Sequence, residues 1–179
     1  GRYRSRAMDS LLREAKELEA RGTQELIVIA QDITRYGMDL KDGSSLAGLL
    51  KELCKLDFHW IRLHYLYPEV ITDELIRVIA QEKKIVPYLD IPIQHCNDRI
   101  LKAMRRHNTR KELEELFAKL RSAIPDVVLR TSLICGLPGE TEEEFEELCE
   151  FLREQKLQRA GVFQFSPEEG TLAERMEDQ

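Results

Sequence analysis

The stretch from Val127 to Leu152 reads VVLRTSLICGLPGETEEEFEELCEFL, and its reading decides the fold class. Val127 to Ile134 is an apolar run of strand length. Gly136 and Gly139 then permit close backbone approach, and Pro138 shapes a tight turn. From about Thr141 to Gln155, Phe145, Leu148 and Leu152 recur at helical spacing on a core-facing side. Glu140, Glu142, Glu143 and Glu144 favour a helix N-terminus at the start of that segment. Strand, tight loop and helix in this order make one unit of an α/β domain.

The same unit repeats on either side. Upstream, Thr109 to Ile124 is a helix with Leu113, Leu116, Phe117 and Leu120 on one face, preceded by a helical region over Asp98 to Arg106. Before these stands a strand over Ile85 to Ile91, made less secure by Pro87. Thr72 caps the helix DELIRVIAQ, with Leu75 where a capping box would need a carboxylate. Strands are also predicted over Glu25–Ala30 and Trp60–Tyr65, with a leucine-rich helix over Leu46 to Leu56 between them. Ala160 to Phe165 is the last strand, and Ala7 to Arg21 the opening helix. Five strands joined by helices call for a parallel sheet. An open doubly wound sheet and a partial barrel fit this periodicity equally. The helix-first order leads to the expectation that a first strand belongs ahead of this chain, which would leave a sheet edge exposed for non-native self-association.

Composition bounds the function. The chain has 179 residues, 42% apolar, with 27 basic and 33 acidic side chains and a net charge of -6. This is a foldable globular mixture and disfavours a general nucleic-acid coat. No run of about 18 apolar residues is present, which argues against a membrane span. Cys54, Cys96, Cys135 and Cys149 are too few for a disulfide scaffold, and none forms a CxxC pair. A reducing, cytoplasmic compartment is the simpler reading.

In either architecture the loops after the strand C-termini form the expected site. They are QDITRYG (Gln31–Gly37), LYPE (Leu66–Glu69), PIQHCNDR (Pro92–Arg99), CGLPGE (Cys135–Glu140) and SPEEGT (Ser166–Thr171). His95 reads as a general base or metal ligand, or as a structural hydrogen-bonding group. Gln94 suits a ribose hydroxyl or a substrate amide. Asp32 and Asp90 read as an acid/base pair or as strand and loop anchors. Arg130, a charge inside an apolar strand, needs either an anionic ligand or a structural partner. GLPGE is either a ligand-facing backbone loop or a plain connection. His59, His64 and His107 lack companion ligands and read as structural or surface residues. The acidic run Glu140–Glu150, with seven glutamates, reads as a solvated helix face. Arg2, Arg4 and Arg6 alternate around Tyr3 in an arm that reads as a phosphate or protein contact, or as an exposed tail.

Taken together, VIAQDITRYG, IRLHYLYPE, PYLDIPIQH, RILKAMRR, LRTSLICGLPGETEEEFEELCEFL and FQFSPEEGTLA resemble the radical S-adenosylmethionine methylthiotransferases. The resemblance covers essentially the whole chain. Gln31-Asp32, Tyr67-Pro68 and Gln94-His95 favour the branch that modifies an aspartate of a small-subunit ribosomal protein over the transfer-RNA branch. A non-enzymatic α/β interaction module is the third reading.

The resemblance implies a partial six-stranded (β/α) barrel, of which residues 1–179 would be the part lacking the first strand and the cluster loop. It implies S-adenosylmethionine and two 4Fe–4S clusters in the parent enzyme, one held by a CxxxCxxC motif and one by a separate N-terminal domain. A C-terminal domain would help engage the substrate, and a reducing system would supply electrons. None of the four cysteines reproduces the motif, so no properly assembled cluster and no activity are expected of these 179 residues alone. In the implied reaction, reductive cleavage of the sulfonium initiates hydrogen abstraction from the aspartate β-carbon, followed by methylthio transfer. Gln31 and Asp32 would line the methionine end of the cofactor or organise their loop. Gln94 and His95 would bound the ribose side, and Arg130 would pair with the cofactor carboxylate or an adjoining acid. Gly136, Gly139, Glu140 and the segment Val162 to Phe165 would form the adenine side. Tyr36, Tyr65 and Tyr67 would shape the substrate mouth.

Overall fold

The structure, a computed structural model, describes residues 3–171 and 173–176; Arg2 of the arm lies outside them. The elements run α1 (Met8–Ala20), β1 (Glu25–Val28), α2 (Leu46–Leu53), β2 (Trp60–Leu63), α3 (Asp73–Gln81), β3 (Ile85–Asp90), α4 (Asp98–Ala103), α5 (Arg110–Ala123), β4 (Val128–Cys135), α6 (Glu142–Gln155) and β5 (Arg159–Gln164). Strands β1 and β2 end two residues before their predicted limits. Cys54 caps the C-terminus of α2 rather than lying inside it.

Side chains start these helices where the sequence supplies them. Ser45, Thr72 and Asn97 accept from backbone N–H groups at the starts of α2, α3 and α4. Thr109 with Glu112 and Thr141 with Glu144 form complete capping boxes on α5 and α6, which satisfy donors that a helix start leaves orphaned. Thr72 caps alone, as Leu75 requires.

All five strands are parallel and stand in the order β1-β2-β3-β4-β5. A doubly wound sheet would reverse direction at a switch point. Here every strand lies beside its predecessor, so the architecture is the partial (β/α) barrel. Right-handed crossovers in a sequential sheet put the helices on one face. Burial agrees: Ile61, Leu63, Ile85, Leu89, Leu129 and Leu133 are buried against the helices. The alternate residues Ile27, Arg62, Tyr88 and Arg130 look out from the other, open face. Pro87 sits where the register of β2 and β3 shifts between the pairs Ile61↔Ile85 and Leu63↔Leu89. A residue with no N–H fits this break in the ladder.

The core runs along the helix-covered side of the sheet and takes residues from α1 to α6. Phe117 and Phe151 are buried with ring centroids 6.3 Å apart. Phe145 departs from its predicted core position and is 38% exposed, turned toward the edge strand β5.

Candidate active site

The loops following the strand C-termini share one end of the sheet, and hydrogen bonds tie them together. After β1, Asp32 is a loop anchor. Its Oδ1 accepts from Thr34 N at 2.9 Å and from the Thr34 hydroxyl, and its Oδ2 accepts from Arg35 Nε at 2.9 Å. Ile33 N donates to Tyr65 O, and Tyr67 N to Thr34 Oγ1, which joins this loop to the next. Gln31 is exposed beside it. Tyr36 is buried, its hydroxyl donating to Arg6 O at 3.1 Å under the N-terminal arm, apart from the other mouth tyrosines. Tyr65 is 41% exposed in a left-handed conformation. Tyr67 carries the Arg106 guanidinium 4.5 Å above its ring.

Gln94 follows β3 with φ 70°, bridging to Leu133 of β4, and its side-chain amide has no partner among the described residues. His95 next to it has no exposed surface. Asn97 N donates to His95 Nδ1 at 3.0 Å, which assigns the ring proton to Nε2, 3.2 Å from Glu140 Oε1. Glu140 Oε2 accepts from Gly136 N at 2.6 Å and Leu137 N at 3.0 Å. The His95–Glu140 pair therefore holds the shapes of two loops. Arg99 extends the brace, donating from Nη2 to Gly139 O at 2.7 Å and from Nε to Glu144 at 2.6 Å. Gly136 and Gly139 have positive φ and open space where a side chain would stand.

Val162 pairs with Leu133 in register and so falls on the helix-facing side, where it lines a cavity of about 390 Å³ with Phe145, Gly136 and Glu140. Phe163 beside it occupies the open face and is 58% exposed; Phe165 N donates to Cys135 O at 2.8 Å. The adenine-side segment is thus split between two faces. A second groove of similar volume lies between the arm, α1, α2 and the outer side of β1.

Arg130 pairs with Asp90, which also meets His64. Its Nη1 is 2.5 Å from Asp90 Oδ1, and Asp90 Oδ2 is 3.4 Å from His64 Nδ1. The pairing with Asp90 holds the guanidinium above its ordinary pKa. His64 had read as structural or superficial; the alternation of IRLH and PYLD around apolar residues was the signal that puts His64 and Asp90 on one face.

The described residues contain no group of three or more His, Cys, Asp or Glu side chains able to hold a metal ion. Burial pushes the Cys54 thiol up to about 11 and the Cys96 thiol up to about 12. Cluster ligation needs gathered thiolates. These thiols are dispersed, so among the described residues they do not gather into an iron–sulfur cluster site. The free Gln94 amide and open glycine backbone do fit a nucleoside-type ligand. No helix among the described residues is long and apolar enough to cross a membrane.

Residues 1–152 match the family model of the Radical SAM superfamily. The chain is 54% identical over its full length to ribosomal protein uS12 methylthiotransferase RimO of Geotalea uraniireducens (strain Rf4), covering 40% of that protein. It is 51% identical, again over its full length, to RimO of Thermoanaerobacter sp. (strain X514), covering 41%. The chain thus spans about two fifths of the curated relatives it matches. Among solved structures, coproporphyrinogen III oxidase HemN from Escherichia coli superposes with TM-score 0.73 at 18% identity, covering 96% of this chain and 40% of that one. TsrM from Kitasatospora setae gives 0.69 at 16% identity, covering 89% and 31%. At such identities the likeness concerns the fold.

Proposed function

The chain belongs to the radical SAM superfamily, and we propose that it is the central catalytic domain of a longer methylthiotransferase acting on an aspartate of a small-subunit ribosomal protein. The observation that carries this reading is identity above 50% along the whole chain with proteins of that activity. In the whole enzyme, S-adenosylmethionine and two 4Fe–4S clusters supply the radical and sulfur chemistry, with clusters held by cysteines outside this chain and reduced by a cytoplasmic electron donor.

The residues of this chain bind and orient. Gln94 offers its free amide to the ribose, beside the open backbone of Gly136 and Gly139. His95 and Glu140 fix the two loops that carry these groups, and Asp32 fixes the loop presenting Gln31. Phe163 and Phe165 supply apolar surface on the adenine side. Tyr65 and Tyr67 border the mouth through which the protein substrate reaches the cofactor, and Tyr36 supports that rim from beneath.

The test is the full-length protein, reconstituted anaerobically and given S-adenosylmethionine, reductant and a sulfur source. Offered the ribosomal protein and transfer RNA separately, it should add about 46 Da, the methylthio-for-hydrogen increment, to an aspartate-containing peptide. Modification confined to a transfer-RNA adenosine overturns the reading.

A further inference from the structure

We propose that His64, Asp90 and Arg130 form a carboxylate-receiving platform on the open sheet face that holds the side chain of the substrate aspartate, an inference that rests on the function proposed above. Asp90 ends β3 and Arg130 lies opposite it on β4, in register. The Asp90 side chain is 1% exposed, while those of Arg130 and His64 keep 31% and 26% of their surface. The acid is therefore the buried foundation, and the two basic groups face the interior.

The unused donors point to the ligand. Arg130 commits Nη1 to Asp90 and, at 3.4 Å, to Ser132 Oγ. Its Nε and Nη2 donate to nothing among the described residues, and this edge of a guanidinium grips a carboxylate with two parallel N–H bonds. Gly161, opposite Ser132 on β5, leaves that edge open: a side chain there would begin 3.9 Å from Nη2. His64 faces Asp90 through Nδ1 and leaves Nε2 without a partner, beside the exposed Tyr65. Asp90 orients both groups from below, so the platform is built before a ligand arrives.

A carboxylate could come from the substrate or from S-adenosylmethionine, and the chemistry of the reaction favours the substrate. The Arg130 guanidinium lies beside Phe163 of the adenine side: a side chain at Gly161 would begin 3.6 Å from the Phe163 ring and 3.9 Å from Arg130 Nη2, so a carboxylate held there sits next to the cofactor. Methylthiolation replaces a hydrogen on the carbon that bears the aspartate carboxylate, so fixing the carboxylate fixes the reacting carbon. An adenosine base offers no such group.

The experiment uses the full-length reconstituted protein with Arg130→Gln, Arg130→Lys and His64→Gln. Arg130→Lys keeps a cation for Asp90 but cannot offer the double N–H edge, so it separates recognition from folding. KM for the ribosomal protein should rise about 10- to 100-fold in both Arg130 variants, the effect of losing charge-assisted hydrogen bonds. The dissociation constant for S-adenosylmethionine should move less than about twofold. Weakened S-adenosylmethionine binding with unchanged KM assigns the carboxylate to the cofactor and overturns the proposal. So does an Arg130→Lys protein with wild-type KM. A wild-type enzyme that leaves the aspartate unmodified overturns the functional reading itself, and the platform with it.

Discussion

His95 Nε2 lies 3.2 Å from Glu140 Oε1, and neither side chain keeps more than 4% of its surface. This contact helps tie the loop after β3 to the loop after β4, beside the Arg99–Gly139 hydrogen bond. Replacing His95 with Ala leaves the buried carboxylate with only its two backbone donors. The expected cost is about 2–3 kcal/mol, the range for losing a hydrogen bond to a charged group with some cavity. His95→Gln keeps an amide N–H in reach of Glu140 and should recover part of it. Urea midpoints of the three proteins measure this; equal midpoints would refute the bracing role.

How much of this was legible follows from which forces are local. The strands around Ile61, Leu89 and Leu133 announced themselves as apolar runs, because a parallel strand covered by helices needs apolar side chains. The strand order was not legible, since periodicity is blind to which strand lies beside which. The mouth loops were found because strand C-termini share one end of a parallel sheet. Within them, His95 and Glu140 are 45 residues apart, and Asp90 and Arg130 are 40 apart. Only the folded sheet, with β3 beside β4, makes those pairs neighbours. Phe145 was misplaced for a related reason: it packs at the edge strand, where a helical pattern no longer fixes burial.

The Arg99–Glu144 pair makes stability depend on acid pH. Hydrogen bonding to Arg99, together with the Thr141 contacts, lowers the Glu144 carboxyl from 4.5 to about 2. A carboxylate depressed in the folded state contributes stability above its unfolded pKa and loses it as pH falls through the folded one. The window is therefore about pH 4.5 down to about pH 2, with stability falling as acid is added. Glu144→Gln should show a shallower fall across that window than the parent, measured by denaturant unfolding at each pH. Parallel curves for the two proteins would show that Glu144 does not carry the effect.

Gly37 is the position in the first mouth loop where glycine is required. Its φ is +87°, and a Cβ would stand 2.0 Å from the Ser44 carbonyl oxygen, a backbone atom that cannot swing aside. Its N–H also donates to Ser5 Oγ at 2.9 Å, pinning the N-terminal arm. Gly37→Ala should destabilise by at least about 2 kcal/mol, from left-handed strain plus the clash. Thermal unfolding reads the loss, and hydrogen exchange should locate the loosening in the arm and residues 31–45. An alanine variant as stable as the parent would contradict this loop geometry.

Strand β1 pairs only with β2 among the described residues, so its other edge presents unpaired backbone groups. Ile27 and Ile29 add to this, at 50% and 59% exposure. An open, apolar edge is a template for pairing with another chain. The 179-residue chain alone should therefore self-associate, its mass by light scattering rising over a concentration series. Ile27→Lys places a charge on the exposed face next to that edge and should hold the protein closer to monomer, with no loss of fold by circular dichroism because Ile27 lies outside the buried core. If the lysine variant associates as strongly as the parent, the contact lies elsewhere on the surface.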